Sequence, residues 1–196
     1  MPIISPADNG RFRWMTTPVF RHATPADVSE VVDLVQSAYR GDRSRAGWTT
    51  EADLIEGQRI DETMMRELLA RPRTIILLFE DIDLVACCEL SMHDDSMTAY
   101  FGMLAVRPGL QSAGLGRRVL DEAERTVVAA WGATALQLVT AHVRAEVIAW
   151  YERRGFQLTG ETHPFPYGDE RFGHPTRDDL HFVSMRKSLI TPSTAG

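Results

Sequence analysis

Apolar residues between positions 28 and 38 recur every three or four residues, a spacing that predicts a helix. Thr24, Pro25 and Asp27 stand just before it, and a threonine followed three residues later by an acid is typical of a capped helix start. Beyond residue 73 the apolar residues form short runs bounded by aspartates, which predicts strands joined by turns. These strands are Thr74–Phe79, Leu84–His93 and Thr98–Val106, with turns at 81–83 and 94–96.

The rest of the chain mixes both patterns. Gly114 to Trp131 carries its apolar residues on one helical face, and Gly132 is a natural end for that helix. This order predicts an α+β fold: a largely antiparallel sheet flanked by helices, with one strand–helix–strand unit near its middle. Residues 41–50 and the segment before the last strand read as loops. The remaining predicted elements are helices Glu51–Glu56, Glu62–Ala70 and Glu146–Arg154, and strands Val19–Ala23, Ala135–Thr140, Phe156–Gly160 and Leu180–Met185.

The chain has 196 residues and a net charge of −6. Its length predicts one domain over residues 18–190, with tails at 1–17 and 191–196. The acidic balance argues against nucleic acid as the main partner, because phosphate binding needs a basic surface. No apolar run approaches the roughly 20 residues of a membrane span, and the N-terminus lacks a signal-peptide core. We therefore expect a cytoplasmic protein with neither a membrane nor a nucleic-acid partner.

Cysteine and histidine usage predicts no disulfide and no metal site. Cys87 and Cys88 are adjacent on a predicted strand, so their side chains point to opposite faces and a bridge between them would be strained. We interpret them as buried thiols, with a catalytic thiol as the alternative. The six histidines show no ligand spacing and the chain has no Cys-x-x-Cys, so no metal is expected.

The segment from Gln111 to Arg118 is the most informative part of the chain. A predicted strand ends, a loop of small residues follows, and a long helix begins, an arrangement that suits an anion such as phosphate. Free N–H groups converge at a helix start, and Gly114 and Gly116 let the backbone approach a ligand closely. Arg117 and Arg118 oppose the helix dipole unless an anion is bound, although two exposed arginines on an ordinary helix give the same sequence.

Two familiar phosphate loops are excluded by this segment. Gly109 and Gly114 have the Walker spacing, but Leu115 and Gly116 stand where lysine and serine or threonine are required. A dinucleotide-binding loop needs a third glycine, and Val119 occupies that position.

The pattern Gln111-x-x-Gly114-x-Gly116 resembles the acetyl-CoA signature of the GNAT superfamily of N-acetyltransferases. Two other segments carry the same resemblance: Trp150-Tyr-Glu-Arg-Arg-Gly-Phe156 is similar to the family's tyrosine helix, and Arg21–Asp27 to its first strand and helix. Residues 144–166 further resemble small bacterial members of the family. The resemblance implies a twisted, mostly antiparallel GNAT sheet whose fourth and fifth strands splay, here Met103–Val106 from Leu136–Thr140.

The resemblance also implies roles for individual residues. The splayed strand would pair with the pantetheine arm of acetyl-CoA, the loop would hold the pyrophosphate, and Tyr151 would protonate the departing thiolate; a packed core tyrosine is its alternative reading. Many relatives carry an asparagine at the place of Arg144, so that contact is altered here. The residues expected to contact the cofactor are Leu104, Ala105, Val106, Gln111, Ser112, Ala113, Gly114, Leu115, Gly116, Arg117 and Arg144.

The general base and the acceptor site are less determined by sequence. Relatives often hold a carboxylate at the place of Tyr100, so Glu89 on the preceding strand is the first candidate base and loop residue His142 the second. The alternative for Glu89 is that it faces solvent or pairs with an arginine.

The acceptor, a small-molecule or peptide amine, is expected between residues 41–59 and 163–179. Its candidate ligands are Trp48, Glu51, Arg59 and Phe165, with Glu51 binding a cationic amine and Phe165, Tyr167 and Phe172 forming an aromatic lid.

Two other functions remain open at this point. A non-catalytic acyl-CoA-binding sensor would keep the Gln111–Gly116 loop without needing Tyr151 or an acceptor pocket. A nucleotide-binding module fits the loop pattern poorly and would be supported by binding of ATP but not of CoA. The family resemblance also suggests a homodimer.

Overall fold

The computed structural model describes residues 17–92 and 97–190. The predicted tails, apart from residue 17, and the predicted turn at 94–96 lie outside these residues. The strands are β1 (Val19–His22), β2 (Ile55–Glu56), β3 (Thr74–Glu80), β4 (Leu84–Met92), β5 (Thr98–Val106), β6 (Ala135–Ala141), β7 (Gln157–Pro164), β8 (His174–Pro175) and β9 (His181–Ser188). The α-helices are α1 (Val28–Tyr39), α2 (Gly41–Ser44), α3 (Glu62–Ala70), α4 (Leu115–Trp131) and α5 (Ala145–Glu152).

Seven strands form one sheet in the order β1-β3-β4-β5-β6-β9-β7. Every neighbouring pair is antiparallel except β5 and β6, which run parallel. Their pairing covers only Thr98–Tyr100 against Ala135–Gln137. Beyond Tyr100 the two strands diverge, which confirms the predicted splay and leaves a wedge in the middle of the sheet.

A bulge in β5 shapes the same wedge. The register between β4 and β5 shifts between Cys87 and Glu89, and Met103 takes a positive φ of 51° opposite this shift. A bulge bends its strand and increases the local twist, so β5 turns away from β6 as it leaves the paired region.

Each face of the sheet is covered by its own helices. One buried cluster joins the sheet to α4 and α5 and includes Cys88, while the other joins it to α1 and α3 and includes Cys87. The two thiols therefore point to opposite faces, as predicted. Burial raises the pKa of Cys87 to about 12 and that of Cys88 well above its usual value, so both remain protonated thiols.

Helix termini follow the sequence signals. The carboxylate of Asp27 accepts a hydrogen bond from the backbone N–H of Thr24 at 2.7 Å, which confirms the predicted capping box. Gly132 ends α4 with a φ of 65°. None of the helices in residues 17–92 and 97–190 is both long and apolar enough to cross a bilayer.

Three sequence predictions need correction. Glu51–Glu56 is not a helix: it forms a turn followed by β2, which pairs with β8, and a two-residue strand leaves no periodic signal. The predicted loop at 41–50 contains α2, whose single turn is closed by the Ser44 hydroxyl donating to the carbonyl of Gly41 at 2.8 Å. β7 continues to Pro164 because Gly160, with a φ of 85°, lies in a bulge and does not end the strand.

Candidate active site

A cavity of about 640 Å³ fills the wedge between β5 and β6. Its walls come from these two strands, the start of α4, α5, and two segments that the sequence placed far apart, residues 39–71 and 165–172. The β2–β8 pair joins these last two segments, with the Thr176 N–H donating to the carbonyl of Leu54 at 3.0 Å. The two stretches predicted to form an acceptor pocket thus meet at one cavity.

One region of the cavity, here called the loop end, comprises Gln111–Arg117 with Trp150 and Arg154. Ser112 and Gly114 take left-handed backbone conformations, with φ of 73° and 79°, immediately before α4. Gly114 is the N-cap of α4; no side chain caps this terminus and its first turn contains no acidic residue. The first N–H groups of the helix are therefore available to an anion.

The two signature glycines have different structural reasons. A Cβ on Gly114 would meet no atom within 4 Å, so this position is glycine because of its left-handed backbone. A Cβ on Gly116 would lie 3.3 Å from Cζ2 of Trp150, so this position is glycine because the indole packs against it. The guanidinium of Arg154 lies 3.5 Å from the Trp150 ring centroid. Sequence reasoning missed Arg154, which lies in the turn after α5; its place just before the Gly-Phe pair was the available signal.

Gln111 acts through its side chain within the protein. Its Nε2 donates to the Thr49 hydroxyl at 2.9 Å and to the carbonyl of Val106 at 3.1 Å. A Cβ on Gly47 would fall 2.6 Å from Oε1 of Gln111, so the loop at 47–49 lies directly on this amide. The side chain of Gln111 thereby ties the loop end to the segment that carries Trp48.

Most of the other predicted cofactor contacts line the cavity, whereas one is buried in the core and one is exposed away from the cavity. Leu104 and Val106 line the cavity, as do Ser112, Leu115 and Arg117. Ala105 is fully buried in the cluster beneath α1, so only its backbone can face a ligand. Ala113 is exposed and does not contribute to the cavity wall.

Tyr151 lies at the point where β5 and β6 separate. Its ring packs edge-on against Phe101, the first β5 residue beyond the paired region, with ring centroids 6.4 Å apart. Trp150 and Phe156 contact it on other sides. The residue is buried yet lines the cavity, and within the described chain its hydroxyl makes no hydrogen bond. Burial is the main cause that raises the pKa of Tyr151 far above its usual value, so the phenol stays protonated.

The opposite region, here called the arginine end, comprises Arg40, Glu51, Arg59, Glu89, Tyr100 and Arg144. The Glu51 carboxylate accepts from Arg40 at 2.5 Å and from Arg144 at 2.7 Å, and all three side chains are at most 12% exposed. Burial alone would raise the pKa of Glu51, but Arg144 and Arg40 outweigh it and hold the pKa below its usual value. Sequence reasoning missed Arg40, whose signal was a charged residue directly after the buried end of α1.

This network bears on two expectations. Both oxygens of Glu51 are engaged by arginines, so the carboxylate has no uncompensated charge with which to bind a cationic amine. Arg144 uses its guanidinium on Glu51 and on the carbonyl of Thr49, at 2.5 Å, so it holds the 49–51 segment against the start of α5. Two of its guanidinium nitrogens thus bind the protein, while Arg144 also lines the cavity, so its predicted cofactor contact stays a prediction.

Glu89, Tyr100 and Arg59 lie together on the sheet face beneath α1 and α3. Glu89 pairs in register with Gly102, and a Cβ on Gly102 would lie 2.9 Å from the Tyr100 hydroxyl, so the phenol covers Gly102. Burial and the charge of Glu89 raise the pKa of Tyr100 to about 12. Arg59 follows β2, and its Cζ lies 5.5 Å from the centroid of the Tyr39 ring. All three line the cavity.

Only some of the remaining predicted residues line the cavity. Trp48 is 38% exposed, leans on Trp150 and lines the cavity, and so do Phe165 and Phe172. Phe165 is buried in a small cluster with Ile55 and packs a wall of the cavity, and its part in an aromatic lid stays a prediction. Tyr167 and His142 do not line the cavity. His142 instead stacks on His181, with ring centroids 3.7 Å apart.

Residues 17–92 and 97–190 contain no cluster of three metal-ligating side chains.

The sequence model of the acetyltransferase (GNAT) family matches residues 30–156, about two thirds of the chain. The chain therefore belongs to the GNAT family of acetyltransferases. It is an N-acetyltransferase.

Solved structures share its fold at low sequence identity. The ribosomal-protein-S18-alanine N-acetyltransferase of Escherichia coli is 16% identical with a TM-score of 0.64, over 92% of this chain and 99% of that one. A GNAT-family acetyltransferase candidate of Desulfovibrio desulfuricans is 22% identical with a TM-score of 0.65, over 89% and 100%. A mutant spermidine N-acetyltransferase of Vibrio cholerae is 14% identical with a TM-score of 0.61, over 88% and 94%. No curated protein sequence matches the chain.

Proposed function

We propose that the protein transfers the acetyl group of acetyl-CoA to a primary amine of a small molecule or peptide, by direct attack of the amine on the thioester. The observation that carries this proposal is the place of Tyr151. A protonated hydroxyl with no hydrogen bond in the described chain lies at the separation of β5 and β6, between the loop end and the arginine end. Similar folds include enzymes named for a ribosomal-protein alanine and for spermidine, so the fold serves both kinds of amine.

The loop end suits the diphosphate of the donor. The uncapped start of α4 offers N–H groups, and exposed Arg117 adds positive charge beside it. β5 has no β6 partner beyond Tyr100, so we expect its backbone at Leu104 and Val106 to pair with the amide-rich pantetheine arm. The two carbonyls already accept from the Tyr39 hydroxyl at 2.7 Å and from Gln111 Nε2 at 3.1 Å, so each would offer the arm its second lone pair. A thioester at the far end of that arm would reach the neighbourhood of Tyr151.

The chemistry needs an acid and a base on either side of the thioester. The amine nitrogen forms a bond to the carbonyl carbon, and its proton passes to Glu89 directly or through water. The C–S bond then breaks, and the departing thiolate takes the proton of the Tyr151 hydroxyl. The products are the amide and CoA, and Tyr151 regains its proton from solvent. No covalent enzyme intermediate is needed.

Replacing Tyr151 by phenylalanine tests this role, since it removes the hydroxyl and keeps the ring packing. We expect kcat for acetyl transfer to fall by roughly 10²- to 10⁴-fold, the contribution of a positioned acid. Affinity for CoA should change little, because the ring that packs against Trp150 of the loop end is kept and only the hydroxyl is lost. Thiol release from acetyl-CoA and mass spectrometry of the acetylated amine provide the readout.

Tyr167→Phe is the control, because it removes a hydroxyl outside the cavity. That hydroxyl donates to the carbonyl of Arg177 and accepts from the Leu180 N–H, so the variant should lose some stability but its folded fraction should keep the wild-type turnover. Equal turnover of Tyr151→Phe and the wild-type protein would remove Tyr151 as the acid. Binding of acetyl-CoA without transfer to any amine would instead favour a non-catalytic acyl-CoA sensor.

A further inference from the structure

The arginine end of the cavity contains more positive than negative charge at its centre. Arg40 and Arg144 share the single buried carboxylate of Glu51. Arg59 is the third guanidinium in this group, and within residues 17–92 and 97–190 its side chain has no ion pair and no hydrogen bond. Its partner there is the face of the Tyr39 ring, 5.5 Å from Cζ. Burial lowers the pKa of Arg59, but the nearby charges of Glu51 and Glu89 outweigh it, although neither carboxylate is hydrogen-bonded to the guanidinium. Half-buried N–H groups without an acceptor are costly, so such a residue indicates a ligand.

Arg59 is held in place by its main chain and open at its side chain. Its backbone N–H donates to Oε1 of Gln36 at 2.5 Å, which fixes the segment between β2 and α3 against α1. The side chain lines the cavity, so its guanidinium is available to a ligand. Arg40 and Arg144 also line the cavity, but their side chains are only 4% and 10% exposed and both bind Glu51. Arg59 is thus the guanidinium of this cluster whose N–H groups have no hydrogen-bond partner in residues 17–92 and 97–190.

We infer that the acceptor is an amine that also carries a carboxylate, as a free amino acid does, and that Arg59 binds this carboxylate. This inference rests on the proposed acetyl transfer. The planar guanidinium matches a carboxylate with two parallel hydrogen bonds. Glu89 and Tyr100 are close enough to Arg59 to interact with it electrostatically, so the amine of such an acceptor would lie on the Glu89 side. An acceptor with several amines and no anion would meet three guanidiniums and only two carboxylates here, and so a net positive charge.

A set of matched acceptors tests this inference. Each of the common amino acids is compared with its C-terminal amide, which keeps the amine and loses the negative charge, and carboxylate-free amines such as tyramine and spermidine are added. Thiol release from acetyl-CoA gives kcat/KM for each member. We expect an amino acid to be the best acceptor and its amide to be at least roughly 10-fold poorer. The amide's amine is less basic and more often unprotonated, so simple reactivity would favour the opposite order.

The Arg59→Gln variant locates the effect. The kcat/KM ratio of amino acid to amide should fall to near one, through a loss of roughly 10- to 100-fold for the amino acid alone. Arg59→Lys keeps the positive charge but loses the planar pair of donors. Its kcat/KM ratio of amino acid to amide should lie between those of the wild-type protein and Arg59→Gln. Arg66→Gln removes the same charge from an exposed position on α3 and should leave the ratio unchanged. A general loss of structure would lower both members of the pair together.

Each outcome decides the inference. Amides or carboxylate-free amines as the best acceptors would overturn it and leave the proposed acetyl transfer intact. An unchanged ratio in Arg59→Gln would overturn the assignment to Arg59. Absence of transfer to every amine, with acetyl-CoA still bound, would overturn both the inference and the proposed function. If Arg59→Gln does not fold, the amino acid to amide ratio of the wild-type protein decides.

Discussion

The two ends of the cavity are built in different ways. At the loop end, we propose that recognition comes from the backbone: a left-handed Gly114, an uncapped helix start, and a strand edge without a strand partner. At the arginine end it comes from side chains that four separate segments bring together, with Glu51 between Arg40 and Arg144. A backbone site is defined by a short local sequence, whereas a side-chain site exists only after the chain has folded.

This contrast implies different sensitivities. Charges at the arginine end are buried and paired, so the loss of one partner should affect stability as well as activity. Arg117 at the loop end is 71% exposed, so its substitution should affect ligand affinity and leave the free energy of unfolding nearly unchanged.

Glu51→Gln should have the largest effect on stability. It leaves Arg40 and Arg144 buried without a counter-charge, a situation that costs about 3–5 kcal/mol in the free energy of unfolding. Urea unfolding followed by circular dichroism measures this change. The matched control is Glu62→Gln, the same substitution in an exposed ion pair with Arg66, which should cost at most about 0.5 kcal/mol. Equal effects of the two substitutions would mean that the arginine end does not act as a buried network.

The same variant has a pH signature. The pKa of Glu51 is lower in the folded chain than in the unfolded chain. Its stabilisation is therefore fully present above the unfolded value of about 4.3 and is lost as the pH falls below it. The difference in stability between wild-type protein and Glu51→Gln should shrink as the pH is lowered through this range. A difference that stays constant would show that Glu51 titrates normally.

Gly114→Val should have a smaller effect on stability than Glu51→Gln and should also weaken ligand binding. A β-branched residue at a φ of 79° is strained by about 1–3 kcal/mol, and relief of this strain moves the first N–H groups of α4. The new side chain would also project into the open space where the diphosphate is proposed to lie. Affinity for acetyl-CoA, measured by calorimetry, should fall by roughly 10- to 100-fold.

Gly109→Val is the control for this substitution. Gly109 precedes the same loop, has no positive φ, and a Cβ there would meet no atom within 4 Å. Its affinity for acetyl-CoA should stay near the wild-type value. Retained affinity in Gly114→Val would mean that the phosphate lies elsewhere.

The contrast between the two ends also explains what the sequence could predict. The Gln111–Gly116 pattern, the splay of β5 from β6 and the position of Tyr151 follow from local signals, and the structure has the splay where it was expected. The short β2–β8 pair left no signal, because two-residue strands have no periodicity.

Charge alone misled the interpretation of the acceptor end. Glu51 read as a ligand for a cationic amine because nothing in the sequence places Arg40 and Arg144 on either side of it. The same holds for Arg144, whose partners Glu51 and Thr49 are more than 90 positions away. Ion pairs and hydrogen bonds between distant residues form only when the sheet and helices have assembled. The sequence therefore indicated which residues belong to this site but not which partners they bind.

The central claim is that the loop end binds the diphosphate of a CoA thioester. Calorimetric titration of the wild-type protein with acetyl-CoA, CoA and ATP tests it most directly. We expect micromolar binding of acetyl-CoA and CoA and much weaker binding of ATP, because the unpaired edge of β5 adds contacts that only the pantetheine arm can make. Absence of binding to both CoA species, or ATP binding as tight as that of acetyl-CoA, would contradict the claim.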